Sequence, residues 1–302
     1  MSKKRLKVLV IAEAANPEWV SVPLVGWSMA AALRDIADIH LVTQVRNRDA
    51  ITRAGWIEGQ DFTAINSEPV ARPINRFASL FGQNHAWTLR TALDTFSYAY
   101  FEKLVWDRFG SEIRSGTYDI IHRITPVSPA ISSSLAQRCK SVGENFVLGP
   151  INGGVPWPKG FEADQSREKE WLSNVRNFYK MMPARRKMLK NAAAILVGSR
   201  FAEGEIPQRH RSRTVYLPEN AIDPDKFSAQ SVQNGQMPVR ACFIGRLVPL
   251  KGVDMLLQAV APFVRDGTLL LDIIGDGPMQ QALKVTATEL GVASNVTFYG
   301  ML

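Results

Sequence analysis

Apolar residues fall in short runs along the chain, each closed by glycine, proline or a polar cluster, and most runs lead into a segment of helical spacing. Residues 7–12, KVLVIA, read as a first strand, 26–36 as a helix and 39–43 as a second strand. Further strands are expected at 118–124, 146–151, 193–197 and 214–217, with a helix over 130–142. A polar stretch at 228–238, SAQSVQNGQMP, reads as a linker. Beyond it the pattern predicts strands at 241–244, 269–274 and 295–299, and helices at 253–264 and 279–290. This alternation implies an α/β chain of two doubly wound, Rossmann-like domains, 1–230 and 237–302. The second is expected to be incomplete, since three strands are half of the roughly six in a full domain.

Two stretches fit this alternation less well. Residues 46–116 read as an insertion with a helix over 85–109, rich in rings: Trp87, Phe96, Tyr98, Tyr100, Phe101 and Trp106. Such rings are chiefly core, with an acceptor groove or a membrane contact as the functional alternative. Residues 171–182 carry a helical stripe of Trp171, Val175, Phe178 and Met182, which Pro183 should end.

Candidate chemistry gathers at strand ends. After the run 241–244 come Gly245, Arg246 and then Lys251-Gly252, directly before a helix. In a parallel sheet such a turn lies where ligands collect, and two cations beside a helix N-terminus suit a phosphate or diphosphate. An ordinary turn with solvated cations is the alternative. The next turn, Gly275-Asp276-Gly277-Pro278, allows close backbone approach. Gly153-Gly154 permits a turn with positive φ angles. Next to a strand end, His122 and Arg123 are placed to point into a cleft, though a lone histidine there is more often structural. No turn shows G-x-G-x-x-G spacing, which argues against a dinucleotide oxidoreductase. Asp223-Pro224-Asp225 spells D-x-D away from a strand end, so no metal site is expected.

GRLVPLKGVDMLL, 245–257, followed by IIGDGP, 273–278, resembles the second-domain signature of the retaining group 1 glycosyltransferases of the GT-B fold. YDIIHRITPVSP, GPINGGVPWP, SRFAEGEI and LPENAIDPDKF resemble first-domain segments of the same family. The resemblance implies that Arg246 and Lys251 bind the donor diphosphate, with Gly245, Gly275 and Gly277 near the nucleotide. It further implies an acceptor-side loop at Gly153 and Gly154, with His122 as the candidate catalytic residue. The expected function is sugar transfer from a nucleotide-sugar to a glycan or lipid-linked acceptor, in polysaccharide or lipopolysaccharide biosynthesis. No cofactor is implied beyond the nucleotide-sugar as co-substrate. Three departures stand out: Gly26 alone where the family carries a glycine pair, Ile124 where some members carry a catalytic histidine, and Ala221 for a glycine. The family's later Glu-x7-Glu segment has no counterpart, so the resemblance implies a C-terminally truncated member. The alternatives are an incomplete fragment or partner-dependent, non-catalytic subunit, and another GT-B-shaped enzyme such as a nucleotide-sugar epimerase.

Composition narrows the setting. With 46% apolar and 21% charged residues in 302, the chain reads as globular. The N-terminal apolar run ends at Glu13, too short for a signal peptide, and no run approaches the ~20 residues that cross a bilayer. Cys139 and Cys242, both in segments expected to be buried, form no disulfide or zinc pattern, so a cytoplasmic location is expected. Of the net charge of +8, residues 159–213 hold thirteen Lys or Arg against six Asp or Glu. Such an excess attracts an anionic membrane or substrate, or else is a solvated face. No nucleic-acid motif is present, so no nucleic-acid partner is expected.

Overall fold

The computed structural model describes residues 5–73, 86–156, 158–161, 179–222, 224–225, 227–230 and 235–302, with side chains in the 86–114 helix described from 94 onward. The chain divides into two compact units, 1–156 with 172–222, and 157–171 with 223–302. The division at 222/223 falls just before the polar stretch expected to be the linker.

The first unit is built on a seven-stranded parallel sheet. Its strands are β1 (Lys7–Ala12), β2 (Asp38–Gln44), β3 (Phe62–Ile65), β4 (Ile120–Thr125), β5 (Phe146–Ile151), β6 (Ala194–Val197) and β7 (Thr214–Tyr216). Their spatial order is β3-β2-β1-β4-β5-β6-β7. The order reverses between β1 and β4, the place where open α/β sheets leave a crevice at their carboxyl edge. Alternation along β1 explains the two layers of core. Leu9 and Ile11 pack with Phe101, Val105 and Phe109 of the long helix α3 (Ala86–Arg114). Val8, Val10 and Ala12 pack on the other face with Ala30 of α1 (Val22–Ile36).

Three expectations change here. The stretch 46–116 is no insertion: it supplies β3, the edge strand parallel to β2, as well as α2 (Arg48–Arg53) and α3. Helix α1 begins one turn before Gly26, with proline in its first turn. Gly26 instead meets the β1–α1 loop, where an added Cβ would lie 2.1 Å from the Ala14 carbonyl oxygen. Of the ring-rich helix, Tyr98 and Phe101 are core as read, whereas Phe96 is exposed. The stripe expected over 171–182 lies outside the described residues apart from 179–182, and Met182 there is exposed.

The second unit has a three-stranded parallel sheet, ordered β10-β9-β8, from β8 (Val239–Ile244), β9 (Leu269–Ile274) and β10 (Val296–Gly300). Helices α7 (Val253–Arg265) and α8 (Gln280–Glu289) join Leu271, Ile273 and Val296 in one core. On the opposite face the Arg240 guanidinium donates to the Asp272 carboxylate at 2.6 Å and to the Tyr299 hydroxyl at 3.0 Å. Cys242 lies in this strand and is exposed, contrary to expectation, because β8 is only half covered along its length. Cys139, in α4 (Leu135–Ser141), is buried as expected.

Candidate functional site

At the end of β8 the chain turns sharply and anchors itself through buried Leu247. Its N–H donates to the Asp276 carbonyl at 2.9 Å, and its carbonyl accepts from Met279 N–H at 3.1 Å. A short 3-10 turn, Pro249–Lys251, leads to Gly252 in the left-handed region at φ 62°, and α7 starts there. Leu256 N–H is the first to reach back along the helix, to the Gly252 carbonyl at 2.9 Å. The amides of the preceding first-turn residues therefore have no partner from the helix itself. Arg246 and Lys251 flank this turn, both exposed, and the side chain of neither has an ion-pair or hydrogen-bond partner among the described residues. Strand, cation, cation and helix start thus follow in the expected sequence.

The glycines of the neighbouring turn have a different reason to be glycine. An added Cβ on Gly275 would lie 1.9 Å from the Gly245 carbonyl oxygen, and one on Gly277 would lie 2.4 Å from that of Leu247. Gly245 N–H also donates to the Ile274 carbonyl at 2.9 Å. The two turns interlock backbone to backbone, so the close approach is met within the protein.

In the first unit the carboxyl ends of β4, β5, β6 and β7 are laced together. At the switch between β1 and β4, the Thr125 hydroxyl both donates to the Ala14 carbonyl and accepts from Ala14 N–H, each at 3.0 Å. Nearby Glu13 pairs with Arg46; burial pushes its carboxyl up, against the pull of that guanidinium. His122 is buried inside β4, and its Nε2–H donates to the Gly149 carbonyl at 2.7 Å. Desolvation lowers its pKa to about 4, which keeps the ring neutral at physiological pH. This is the structural role set beside the catalytic one. Arg123 does not point into a cleft. It is fully buried, donating to the Ile131 carbonyl at 3.0 Å and to the Pro126 carbonyl, with its guanidinium over the Tyr98 ring.

Gly153 and Gly154 do adopt positive φ angles, 119° and 77°, in a turn after β5 where Gly153 is half-buried and Gly154 exposed. Sequence reading did not single out the side chains around them. Asn152 Oδ1 accepts from Gly153 N–H at 2.9 Å and from the Ser199 hydroxyl at 2.8 Å. Its amide donates to Glu219 Oε1 at 2.7 Å. Ser199 in turn caps α6 (Arg200–Gly204) by accepting from Ala202 N–H.

Residues 225–302 match the family described as "Glycosyl transferases group 1". They are a group 1 glycosyltransferase domain. The chain's relatives in sequence include the GDP-mannose-dependent alpha-(1-6)-phosphatidylinositol monomannoside mannosyltransferase of Mycobacterium tuberculosis, 35% identical over 34% of this chain and 28% of the relative. Another is the D-inositol 3-phosphate glycosyltransferase of Segniliparus rotundus, 44% identical over 19% of this chain and 14% of the relative. The chain thus matches less than a third of the length of these curated relatives. Around the group 1 domain the whole fold is GT-B. It is similar to the lipopolysaccharide outer core galactosyltransferase WaaB in its apo form, with TM-score 0.51, 15% identity, and coverage of 98% of this chain and 68% of the other. It is also similar to Anabaena HepE in complex with UDP and glucose, with TM-score 0.52, 14% identity, and coverage of 99% and 70%. Among the described residues no helix is long and apolar enough to cross a membrane, and no group of three His, Cys, Asp or Glu is placed to hold a metal ion.

Proposed function

We propose that this protein moves a sugar from a nucleotide-sugar donor to a glycan or lipid-linked acceptor, in polysaccharide or lipopolysaccharide biosynthesis and with retention at the anomeric carbon. The observation that carries this reading is the pair Arg246 and Lys251, exposed and unpaired at the start of α7 inside the group 1 domain. Fixed positive charge placed where a diphosphate leaves stabilises the negative charge that grows there. Those cations take the part that a metal ion plays elsewhere, so the reading includes no cofactor. Gly153 and Gly154 are assigned to the acceptor side, and Gly245, Gly275 and Gly277 to the backbone near the nucleotide. His122 is assigned to holding Gly149.

The test is calorimetric titration with UDP and GDP, the nucleotides that the names of the relatives and neighbours suggest. Saturable binding that weakens about tenfold or more in both Arg246→Ala and Lys251→Ala is the expected result. Binding that is absent, or indifferent to both substitutions, would sink the reading. We further propose a cytoplasmic protein that rests on an anionic membrane. Its support is a surface of exposed cations, Arg186, Lys187 and Lys190 on α5 (Pro183–Asn191) and Arg209 and Arg211 in the 3-10 helix Gln208–Arg213, beside exposed Met181 and Met182.

A further inference from the structure

We propose that Glu219 is a positioning residue for the Gly153-Gly154 loop, acting through the side-chain amide of Asn152. The inference rests on the glycosyl-transfer reading, which assigns that loop to the acceptor. It deepens that reading by naming what fixes the loop.

The frame behind Asn152 is held without Glu219. Buried Arg123 fixes the carbonyls of Pro126 and Ile131. Buried Glu102 of α3 accepts from the hydroxyls of Ser133 and Ser134 and from Ser134 N–H. The segment so pinned offers the Val127 carbonyl to Asn152 N–H at 2.8 Å. The backbone of Asn152 is therefore set, while its amide still has two orientations a half-turn apart. One puts Oδ1 against Gly153 N–H and the Ser199 hydroxyl. The other sets an NH2 against the Gly153 N–H, donor against donor, and leaves that N–H without an acceptor, although the Ser199 hydroxyl could still accept.

Glu219 decides between them. A carboxylate only accepts, so Nδ2 must face it and Oδ1 must face Gly153. The arrangement is tightly built. Glu219 Oε2 is buried with no hydrogen-bond partner among the described residues, a costly state for a carboxylate oxygen. It lies where a side chain on Gly198 would be, 2.8 Å from the position of an added Cβ. The contact comes from three neighbouring loops, after β5, β6 and β7, which converge on this amide.

The deciding experiment uses the full chain with 15N-labelled glycine and follows the Gly153 amide by NMR. Glu219→Gln keeps a carbonyl oxygen toward Asn152 and can place its own NH2 at the Oε2 position. Glu219→Ala removes the acceptor. The expected result is exchange of the Gly153 amide about tenfold faster in Glu219→Ala and near the parent rate in Glu219→Gln. Asn152→Ala, which deletes the Oδ1 acceptor itself, should match Glu219→Ala and serves if that variant fails to fold. Unchanged protection in Glu219→Ala, or equal loss in Glu219→Gln, overturns the proposal. Transfer to octyl glucoside supplies the functional arm: Glu219→Ala should raise its KM by about tenfold, with Glu219→Gln restoring it. An unchanged KM in Glu219→Ala would count against the positioning role. UDP and GDP titration of the same samples separates the two ideas. Failure of nucleotide binding in the parent defeats the glycosyl-transfer reading, while the Gly153 result still decides the link to Glu219.

Discussion

A histidine that stays neutral inside a strand leaves a trace in the stability of the protein. His122 has a folded pKa of about 4 against an ordinary 6.5, set by burial and only partly offset by the Gly149 carbonyl. The unfolded chain therefore binds a proton that the folded chain refuses between those two values. Stability contributed by this residue is present above pH 6.5 and should fall as pH drops toward 4, by about 3 kcal/mol over the window. Urea melts across that range, with His122→Leu as the comparison, check the sign. The variant should lose the pH slope and cost about 1–3 kcal/mol at neutral pH, because the Gly149 carbonyl loses its donor. At the same scale, Arg246 and Lys251 make a prediction about metal. If they neutralise the diphosphate, UDP or GDP binding should survive EDTA, and calorimetry with and without chelator checks it. A requirement for added magnesium would count against assigning that charge to the two cations.

Elements were legible where several residues repeated one pattern. Lys7–Ala12, Phe146–Ile151 and Leu269–Ile274 have the bounds expected for them. Phe62–Ile65 escaped notice because four residues are too few to show a period, and an edge strand needs only one covered neighbour. Gly26 could be seen as unusual but not explained, since its reason is a carbonyl twelve positions earlier in the chain. The Glu219 contact was out of reach for the same cause on a longer scale: its partner Asn152 is 67 residues away. The donor-side turns, by contrast, were read from local spacing, and that spacing supports a mutational prediction. Gly277→Ala would drive a Cβ onto the Leu247 carbonyl and should destabilise the second unit by about 3 kcal/mol, read from its melting. Gly267→Ala, where an added Cβ meets nothing within 4 Å, still carries the strain of φ 79° and should cost less.

At the scale of the whole molecule, charge is the quantity with the longest reach. The chain carries +8, and the described part of the basic stretch turns Arg186, Lys187, Lys190, Arg209 and Arg211 outward while Arg213 is spent inside, capping α5 through the Leu189 and Lys190 carbonyls. Vesicles containing phosphatidylglycerol should therefore retain the protein at low salt and release it at about 0.5 M salt, where the Debye length has fallen to a few ångströms. Retention on neutral phosphatidylcholine, or no loss on changing Arg186, Lys187 and Lys190 to glutamate, would show that charge is not the cause. The interlocked turns of the second unit carry a different consequence. Gly275 and Gly277 are demanded by the backbone of Gly245 and Leu247, whether or not a ligand is bound. A homology search that relies on that glycine pattern is therefore selecting a scaffold. It would retrieve a copy that has lost its cations as readily as one that still turns over substrate. Arg246 and Lys251, which the packing does not require, are the positions on which such a search should discriminate.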